Sequence, residues 1–486
     1  MRLSELLREV EFEGSIKNDF DIKFVTDDSR LVRPGALFVC IRHRSFDGHT
    51  AAAEALASGA AAVVTQERLG LENELNVADS RAAYARLCAA LCGHPERKLR
   101  MIGVTGTNGK TTVTTLIRNI LSDSGIKTLL TGTVCNRLGE ESLPSGLTTP
   151  KPPELYSLLS RAVLSGCEAC VAEASSQALA QGRLEGIAFD AAVFTNITRD
   201  HLDYHGTFEN YLAAKKKLFE HSEVSAVNLD DPRADEIIAA SRGKTVTFST
   251  VLDCADYTAK NISLLPEGVS FELVSKGRIE HINFASPGLF SVSNAMAAAV
   301  CAINLGVDPR SAAQSLARSK GVCGRLERVE CGTPYSVIID YAHTPDGLEQ
   351  VLRALRPSCR GKLIVLFGCG GDRDKTKRPL MGAAACKYAD TVIVTSDNPR
   401  SEEPMKIIGD ILKGTDKKRR GLFIEEDRRR ATALALSLAK PGDTVLLAGK
   451  GHEKYQLICG EKLPLDERET VREILGLPHD TGRKKP

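Results

Sequence analysis

The sequence contains no long apolar run and almost no net charge. No stretch of its 486 residues approaches the roughly 20 consecutive apolar residues of a membrane-spanning helix. The first residues, MRLSELLREVEFEG, lack the apolar core of a signal peptide, so we expect a cytoplasmic protein without membrane insertion. Lys and Arg total 64 against 62 Asp and Glu, a formal net charge of +2. This balance argues against a nucleic-acid-binding surface and against a polybasic membrane anchor.

The sequence also lacks the spaced cysteine pairs of a disulfide framework. Its 14 cysteines are scattered through apolar runs such as LCAALCG, as expected of buried free thiols in a reducing compartment. One CxxC is present, Cys167 and Cys170, but no second pair accompanies it. We therefore expect these two residues to pack in a core rather than to bind zinc or exchange disulfides.

Apolar strand-like runs alternate with helical segments along most of the chain. A first unit contains GALFVCI and AAAVVTQ and ends at the polar stretch HPERKLR; a second begins with MIGVTG; the pattern restarts after GRLERV with YSVIIDYAHTP. This βαβ rhythm is typical of parallel sheets covered by helices, and the length suits about three domains. The sequence therefore predicts an α/β fold with domains over residues 1–96, 97–329 and 330–486.

The strongest single motif is GTNGKTT, which follows the apolar run MIGVT and precedes a helical pattern. Its glycines allow backbone N–H groups to point at phosphate oxygens, and the start of the helix adds the positive end of its dipole. Lys110 is expected to reach the β and γ phosphates, and the Thr111 hydroxyl to bind Mg²⁺. Val104 replaces the first glycine of the common GxxxxGK[ST] pattern, so this is a shorter variant of the phosphate loop.

Two further clusters follow apolar strands. Glu173 ends the run CVAE, and the loop TRDHLDYHG contains Asp200, His201, Asp203 and His205. Taken alone, Glu173 is more often a helix cap or a solvated acid, and loop histidines are often merely exposed. Because ligands gather at the carboxyl edge of parallel sheets, the three clusters together predict a site for Mg-ATP chemistry.

The run SDNPR raises a different question, because four restrictive residues follow the apolar stretch DTVIV. Asp397 and Asn398 favour turns, and Pro399 ends a strand. Arg400 adds a planar fork that matches a carboxylate or phosphate in bidentate geometry. Local chemistry alone favours a type I turn with a surface arginine.

Eight motifs occur in a fixed order: GTNGKTT, EASS, TNITRDHLDYHG with AAK after it, GRLE, DYAHTPDGLE, FGCGGDRDKTKRP, SDNPR and AGKGHE. They resemble the Mur ligases that build the peptide of bacterial peptidoglycan, and most of all the members that add diaminopimelate. The resemblance runs from Asp28-Ser29-Arg30 to the last domain. It implies an N-terminal UDP-sugar-binding domain, a central phosphate-loop ATPase domain with a parallel sheet, and a C-terminal Rossmann-like domain that binds the amino acid.

The resemblance implies ATP and Mg²⁺ as cofactors and assigns residues to each. The ATP contacts are Gly106, Thr107, Asn108, Gly109, Lys110, Thr111, Thr112, Asn294, Arg325 and Asp340. The magnesium site comprises Thr111, Glu173, His201 and Lys215. The family carries the lysine that matches Lys215 as a carbamate formed with CO₂ (N6-carboxylysine). Composition alone would place the whole run 215–217 on a solvated helix face. We keep that expectation for Lys216 and Lys217.

Two substrates are implied, UDP-N-acetylmuramoyl-L-alanyl-D-glutamate and meso-2,6-diaminopimelate. Contacts to the nucleotide substrate match Ser29, Arg44, Ser45, Phe46, Thr148, Thr149, Ser175, Gln181 and Arg183. Contacts to diaminopimelate match Arg373, Asp397, Asn398, Pro399, Arg400, Gly449 and Glu453, with Arg400 clamping a carboxylate while Asp397 and Asn398 face the ammonium. Two positions depart from the family pattern beside the predicted adenine and ribose contacts: Ser291 stands where Asn is usual, and Cys323 where Pro is usual.

The implied reaction is ATP-dependent amide formation through an acyl phosphate of the D-glutamate carboxylate. Lys110 is expected to neutralise charge on the transferred phosphoryl group together with Mg²⁺, and the Lys215 carbamate to supply an anion near the magnesium. His205 or Asp200 is expected to accept the amine proton. The enzyme is expected to be a monomer. Three alternatives stay open: the lysine-adding version of the same ligase, a folylpolyglutamate synthetase-like ligase, and a phosphate-loop NTPase that acts as a switch without a second substrate.

Overall fold

The computed structural model describes residues 1–43, 46–265, 267–319, 321–416 and 419–478. Three mainly parallel sheets follow one another along the chain, and a two-stranded hairpin lies near its end. This architecture confirms the predicted α/β class. No helix in the described ranges is long and apolar enough to cross a membrane.

The first sheet has four parallel strands in chain order. Its strands are β1 (Phe24–Thr26), β2 (Ala36–Val39), β3 (Ala60–Thr65) and β4 (Glu74–Asn76). The helices of this region are α1 (Leu3–Leu6), α2 (Ala52–Ala57) and α3 (Ser80–Leu91). The carboxylate of Asp79 caps α3 by accepting the backbone N–H groups of Arg81 and Ala82.

The second sheet has eleven strands in the order β15-β14-β13-β12-β11-β10-β5-β9-β6-β7-β8. The strands are β5 (Arg100–Thr105), β6 (Thr128–Thr131), β7 (Asn136–Leu138), β8 (Glu141–Leu143), β9 (Ala169–Glu173), β10 (Phe189–Phe194), β11 (Ser222–Asn228), β12 (Lys244–Ser249), β13 (Tyr257–Leu265), β14 (Gly268–Ser275) and β15 (Arg278–Phe284). Neighbours from β13 through β10 and β5 to β6 are parallel; β13–β15 and β6–β8 pair antiparallel.

Eight helices accompany this sheet in the described ranges: α4 (Lys110–Asp123), α5 (Pro152–Leu164), α6 (Ser176–Ala180), α7 (Leu202–His205), α8 (Phe208–Lys216), α9 (Ala234–Ala240), α10 (Leu289–Asn304) and α11 (Pro309–Arg318). The alanine-rich α10 is buried along most of its length and packs with α4 on the apolar face of β5. Cys167 and Cys170 are buried free thiols, as predicted. This packing fixes the start of α4, and with it the end of the phosphate loop.

The third sheet has the order β16-β17-β21-β18-β19-β20, parallel except for the β16–β17 pair. Its strands are β16 (Glu327–Val329), β17 (Ser336–Asp340), β18 (Leu363–Phe367), β19 (Thr391–Val394), β20 (Leu422–Ile424) and β21 (Thr444–Ala448); the hairpin is β22 (Tyr455–Ile458) with β23 (Glu461–Pro464). The helices are α12 (Pro345–Leu355), α13 (Lys377–Tyr388), α14 (Pro404–Leu412), α15 (Arg428–Leu438) and α16 (Glu467–Ile474). Since β16 starts at Glu327, this sheet begins just before the predicted limit at residue 330; the domain limits themselves stay predictions.

Candidate active site

A cleft of about 400 Å³ lies between the second and third sheets. The carboxyl ends of β5, β9 and β10 form one wall, and those of β17, β18, β19 and β21 form the other. Most of the predicted site residues line it: Thr107, Asn108, Gly109, Lys110, Thr111, Thr112, Thr148, Thr149, Glu173, Ser175, Arg183, Asp200, His201, Lys215, Asn294, Arg325, Asp340, Arg373, Asp397, Asn398, Arg400, Gly449 and Glu453. Side chains from Thr107 to Glu453, distant in sequence, thus converge on one site.

A smaller set of predicted residues lies away from the cleft lining. These residues are Ser29, Phe46, Gly106, Gln181, His205 and Pro399. Arg44 and Ser45 lie outside the described residues. Ser29 opens a single 3-10 turn after β1, and the Phe46 side chain is exposed, so both belong to the first sheet's surface.

The predicted phosphate loop spans the gap between β5 and α4. Gly109 precedes α4 with φ of 88°, in the left-handed region, and a Cβ there would lie 2.5 Å from Asn294 Oδ1. Lys110 Nζ curls over the loop and donates to the carbonyl oxygens of Gly106 at 2.8 Å and Thr107 at 2.9 Å. Burial lowers the pKa of Lys110, and the carboxylates of Glu173 and Asp200 oppose the shift. The N–H groups of Thr107 and Asn108 already donate to Asn196, at 2.8 Å to its carbonyl oxygen and at 3.0 Å to its Oδ1, so the N–H groups at the start of α4 are the ones that can face a phosphate.

Glu173 ends β9 and is buried beside the start of α4. Its Oε2 accepts hydrogen bonds from the hydroxyls of Thr111 at 3.1 Å and Thr133 at 2.9 Å, and its Oε1 accepts the Thr133 N–H at 2.8 Å. Arg325, from the segment between the two large sheets, donates to Thr111 Oγ1 at 3.2 Å. Carboxylate and hydroxyl oxygens thus face the cleft beside the phosphate loop.

Asp200 and His201 follow β10 and form a close pair. His201 has φ of 55°, and its Nε2 lies 3.4 Å from Asp200 Oδ2. Burial lowers the pKa of His201 to about 4, although Asp200 acts in the opposite direction. Burial acts to raise the pKa of Asp200, but His201, His343 and Lys377 outweigh it and lower the pKa. The imidazole is therefore neutral at neutral pH and able to bind a metal ion.

Lys215 lies at the end of α8 and is almost completely buried, with 1% of its surface exposed. Its Nζ stands 4.6 Å from the centroid of the Tyr211 ring, and within the described ranges it makes no hydrogen bond or ion pair. Burial lowers the pKa of Lys215 well below its ordinary value, the charge of Lys110 adds to the shift, and Asp200 opposes it. Lys216 differs, because its Nζ pairs with Glu236 Oε2 at 2.7 Å on a partly exposed surface.

The oxygen ligands present fit a magnesium ion that is shared with a nucleotide. Among the described residues no group of three or more His, Cys, Asp or Glu side chains could hold a metal ion alone. Mg²⁺ in phosphoryl-transfer sites commonly takes one or two protein carboxylates, with water and phosphate oxygens completing its shell. Thr111 Oγ1 and Glu173 Oε2, 3.1 Å apart, are a hydroxyl and carboxylate of this kind.

Asp340 ends β17 and anchors the chain that reaches across the cleft. Its Oδ2 accepts the Leu326 N–H at 2.7 Å, and its Oδ1 accepts the Ala342 N–H at 2.7 Å. Burial raises the pKa of Asp340, with Arg325 and these two hydrogen bonds opposing the shift. The Arg325 guanidinium stacks 4.5 Å from the centroid of the Tyr341 ring. The carboxylate therefore holds Arg325 in place beside Thr111.

The SDNPR turn follows β19 and is stabilised by hydrogen bonds within the turn and to neighbouring loops. Asp397 Oδ1 accepts the Asn398 N–H at 2.7 Å, and the Asn398 amide oxygen accepts Lys450 Nζ at 2.7 Å. Arg400 has φ of 55°, a strained value for an arginine, and its Nη1 donates to the Gly371 carbonyl at 2.7 Å. The turn is thus not a surface turn, because the first four of its five residues are buried.

A connected wall of polar side chains extends from Glu173 toward the first sheet. Thr149 Oγ1 donates to the Glu173 carbonyl at 2.6 Å and lies 3.0 Å from Ser175 Oγ. Arg183 donates to the Thr149 carbonyl at 2.7 Å, and its Nε and Nη2 both donate to Gln181 Oε1, at 3.0 and 2.7 Å. Gln181 therefore orients Arg183 rather than facing the cleft.

Comparisons with known proteins identify the family. Three family models match: the Mur ligase family, catalytic domain, over residues 21–89; the Mur ligase middle domain over 104–302; and the Mur ligase, glutamate ligase domain, over 324–451. A curated protein from Syntrophomonas wolfei, named UDP-N-acetylmuramoyl-L-alanyl-D-glutamate–2,6-diaminopimelate ligase, is 43% identical over 98% of this chain and 99% of its own length. The chain belongs to the Mur ligase family.

Two further relatives of this Mur ligase carry the same name. One is a protein from Clostridium tetani that is 41% identical over 98% of this chain and 99% of its own length. The other is a solved structure that is 34% identical, with a TM-score of 0.70, over 98% of this chain and 99% of that chain. Family membership therefore extends over all three sheets.

The geometry of this Mur ligase argues against His205 as the proton acceptor. His205 is buried, its Nε2 lies 3.0 Å from Ser176 Oγ, and its ring packs edge-on to Tyr204. It does not line the cleft, because α7 turns its side chain toward α6. Of the two candidates named from the sequence, only Asp200 faces the cleft.

Sequence reasoning missed several cleft residues of this Mur ligase. His343 lies at the cleft with its Nδ1 2.8 Å from the Tyr341 carbonyl oxygen, which leaves Nε2 available. Lys377 donates to the His343 carbonyl at 2.9 Å. Burial lowers the pKa of His343, and Lys377 adds to the shift. The motifs DYAHTP and DKTKRP contain both residues, but nothing in their spacing indicates that they meet.

Proposed function

We propose that this Mur ligase is an ATP-dependent, ADP-forming ligase that adds meso-2,6-diaminopimelate to UDP-N-acetylmuramoyl-L-alanyl-D-glutamate in peptidoglycan precursor synthesis. The observation that carries the proposal is one cleft with the phosphate loop at one end and the SDNPR turn at the other. The names of the relatives at 41% and 43% identity support the same substrates. Because the reaction draws on ATP and a nucleotide-linked precursor, we propose a cytoplasmic location; the monomeric state stays a prediction.

At the phosphate end we propose that residues 106–112 bind ATP with Asn294, Arg325 and Asp340. The N–H groups at the start of α4 favour phosphate oxygens, and Lys110 neutralises their charge. Thr111, Glu173 and His201 would hold the Mg²⁺. Bound Mg²⁺ neutralises charge on the phosphoryl group that ATP transfers to the D-glutamate carboxylate, giving an acyl phosphate.

Lys215 is proposed to carry a carbamate. An amine must be neutral to add to CO₂, and burial, which lowers the pKa of Lys215 well below its ordinary value, favours that form. A buried ammonium without an anionic partner is unfavourable, whereas a carbamate places a negative charge beside Lys110. This supports the modification that the family resemblance implies.

The nucleotide substrate is proposed to lie along the polar wall between the first two sheets. Thr148, Thr149, Ser175 and Arg183 face the cleft there, and Gln181 holds the Arg183 guanidinium. The uridine end would reach the first sheet, where Ser29 and Phe46 lie. The predicted contacts of Arg44 and Ser45 belong to the same end.

At the amino-acid end, Arg400 is proposed to bind the distal carboxylate of diaminopimelate. One guanidinium nitrogen is held by Gly371, so the fork is oriented before the substrate arrives. Arg373, Asp397, Gly449 and Glu453 line the cleft beside it. The carboxylates of Asp397 and Glu453 would accept from the amino groups, and the Arg373 guanidinium would face a carboxylate. Asn398 and Pro399 shape the turn. Asp200 or His343 would accept the proton of the attacking amine, and closure of the cleft would exclude water from the acyl phosphate.

The alternatives differ at this amino-acid end. L-lysine lacks the carboxylate that Arg400 would bind, so the lysine-adding version leaves an oriented guanidinium without a ligand. A folylpolyglutamate synthetase would not need the uridine contacts of the first sheet. A switch NTPase would not need the amino-acid end at all, and it would hydrolyse ATP without the nucleotide substrate.

The test replaces Arg400 by Ala and measures ADP release with each substrate varied in turn. Loss of a charged hydrogen-bonded partner should raise the KM for diaminopimelate by about 10- to 100-fold and leave the KM for ATP nearly unchanged. Arg310→Ala, an exposed arginine on α11, is the matched control and should change neither value. Equal losses for ATP and diaminopimelate would assign Arg400 a structural role and remove the specificity argument.

A further inference from the structure

Two completely buried cations lie beneath the SDNPR turn. Lys450 has no exposed surface, and Arg428 has 2% of its surface exposed. Charged side chains are almost never fully buried unless they are paired. Neither residue belongs to the set that the family resemblance assigns to substrates, so the reason for their burial has to come from their contacts.

Lys450 joins the SDNPR turn to the loop after β21. Its Nζ donates to Asn398 Oδ1 at 2.7 Å and to Glu453 Oε2 at 2.6 Å, and it lies 5.5 Å from the Tyr455 ring centroid. The Asn398 amide nitrogen donates to the same Glu453 oxygen at 2.9 Å. Lys450, Asn398 and Glu453 therefore form a closed triangle of charge-assisted hydrogen bonds.

Arg428 anchors the same two strand ends from below. Its Nη2 donates to the Ala448 carbonyl at 2.8 Å, its Nη1 to the Ser396 carbonyl at 3.4 Å, and its Nε to Glu467 Oε1 at 2.8 Å. Nη1 also lies 3.9 Å from Asp397 Oδ2. The ends of β19 and β21 are thereby fixed relative to each other.

The Asn398 amide has no capacity left for a substrate ammonium. Its oxygen accepts from Lys450 and from the Leu457 N–H at 2.9 Å, so both lone pairs are used. Asp397 Oδ2, by contrast, is buried and has no hydrogen-bond partner among the described residues. A Cβ at position 449 would lie 2.7 Å from that oxygen, so the glycine keeps the space beside it free of a side chain.

We propose that Lys450 is a positioning residue for the amino-acid substrate. It holds Asn398 and Glu453 so that two oxygens can still accept a hydrogen bond from the ammonium of the incoming amino acid. These are Glu453 Oε1, to which the Tyr341 hydroxyl donates at 3.5 Å, and Asp397 Oδ2. Without Lys450, the two carboxylates would lose their shared counter-charge and repel each other. The inference rests on the proposed function, because it concerns the acceptor end of that reaction.

The test replaces Lys450 by Met, which keeps an unbranched side chain one atom shorter than that of Lys and removes the charge. The KM for meso-diaminopimelate should rise about 10- to 100-fold, since misplacing a binding group by about 1 Å has effects of this size, while the KM for ATP changes less than about 2-fold. Lys454→Met is the matched control, because this lysine lies on the same loop and is exposed. If Lys450→Met does not fold, Lys450→Gln keeps a hydrogen-bond donor without the charge and takes its place.

A double-mutant cycle with Asn398→Ala separates positioning from a general loss of structure. If Lys450 acts through Asn398, the double variant should be no worse for diaminopimelate than the more damaging single variant. The inference would be overturned if the KM increase of the double variant equalled the product of the increases in the two single variants. It would also be overturned if the KM values for ATP and diaminopimelate rose equally. If the parent enzyme shows no diaminopimelate-dependent ADP release, the proposed function is refuted. If the parent enzyme is active and Lys450→Met has the same KM for diaminopimelate, only this inference is refuted.

Discussion

At the scale of single residues, burial distinguishes charged side chains that are adjacent in the sequence. Lys215 and Lys216 are neighbours in a run of three lysines. Lys215 is buried and has no hydrogen-bond or ion-pair partner in the part of the chain that the structure describes, whereas Lys216 pairs with Glu236 at the surface. Composition predicts a solvated run, and only the family resemblance selects Lys215. The difference arises from which side of α8 packs against the cleft, and that depends on tertiary structure rather than on local sequence.

His452 provides a pH prediction at this scale. Burial lowers its pKa to about 4, with Arg325 adding to the shift, against about 6.5 for an unfolded histidine. Between these values the unfolded chain binds a proton that the folded chain does not, so stability is full above pH 6.5 and is lost as the pH falls toward 4. Urea unfolding at pH 7 and pH 5 should show a smaller acid-induced loss for His452→Gln than for the parent.

The control for that measurement is His281→Gln, an exposed histidine on β15. It should leave the acid-induced loss as in the parent protein. An unchanged loss in His452→Gln would mean that other groups cause the acid sensitivity.

At the scale of elements, the sequence predicts the phosphate loop well because its geometry is local. GTNG lies between β5 and α4 and KTT begins α4, as expected, and Gly109 has the left-handed conformation that a loop of this kind needs. The SDNPR turn is less predictable. Local chemistry favours a surface turn, but the turn is buried because Lys450 and Arg428, far along the chain, pack beneath it.

Gly109 allows a matched test of the loop. Gly109 and Gly125 flank α4 with φ of 88° and 85°, but only at Gly109 would a Cβ meet a neighbour, Asn294 Oδ1 at 2.5 Å. Replacement by Ala should cost about 1–2 kcal/mol of unfolding free energy at either position, because both are left-handed. Only Gly109→Ala should also raise the KM for ATP, by about 10-fold, since it displaces Asn294 from the loop. Equal KM values in the two variants would contradict this assignment.

At the scale of the whole molecule, the alternation of strands and helices predicts three α/β domains. It does not predict that residues of the second and third sheets meet at one cleft. Arg325 reaches Thr111 at 3.2 Å, and Asn108 donates to Asp346 at 3.1 Å, across more than 200 residues in each case. Such contacts depend on how the sheets face each other, which periodicity does not encode. The same limit explains why the sequence does not show that His205 packs against Ser176 away from the cleft, or that His343 lines it.

The central claim is that the cleft selects an amino acid with a second carboxylate. The most direct measurement compares meso-diaminopimelate, L-lysine and L-ornithine as acceptors on UDP-N-acetylmuramoyl-L-alanyl-D-glutamate, with ADP release and product mass as readouts. A site built around an oriented guanidinium should favour diaminopimelate in kcat/KM by roughly 1,000-fold or more. Lysine used as well as or better than diaminopimelate would contradict the account.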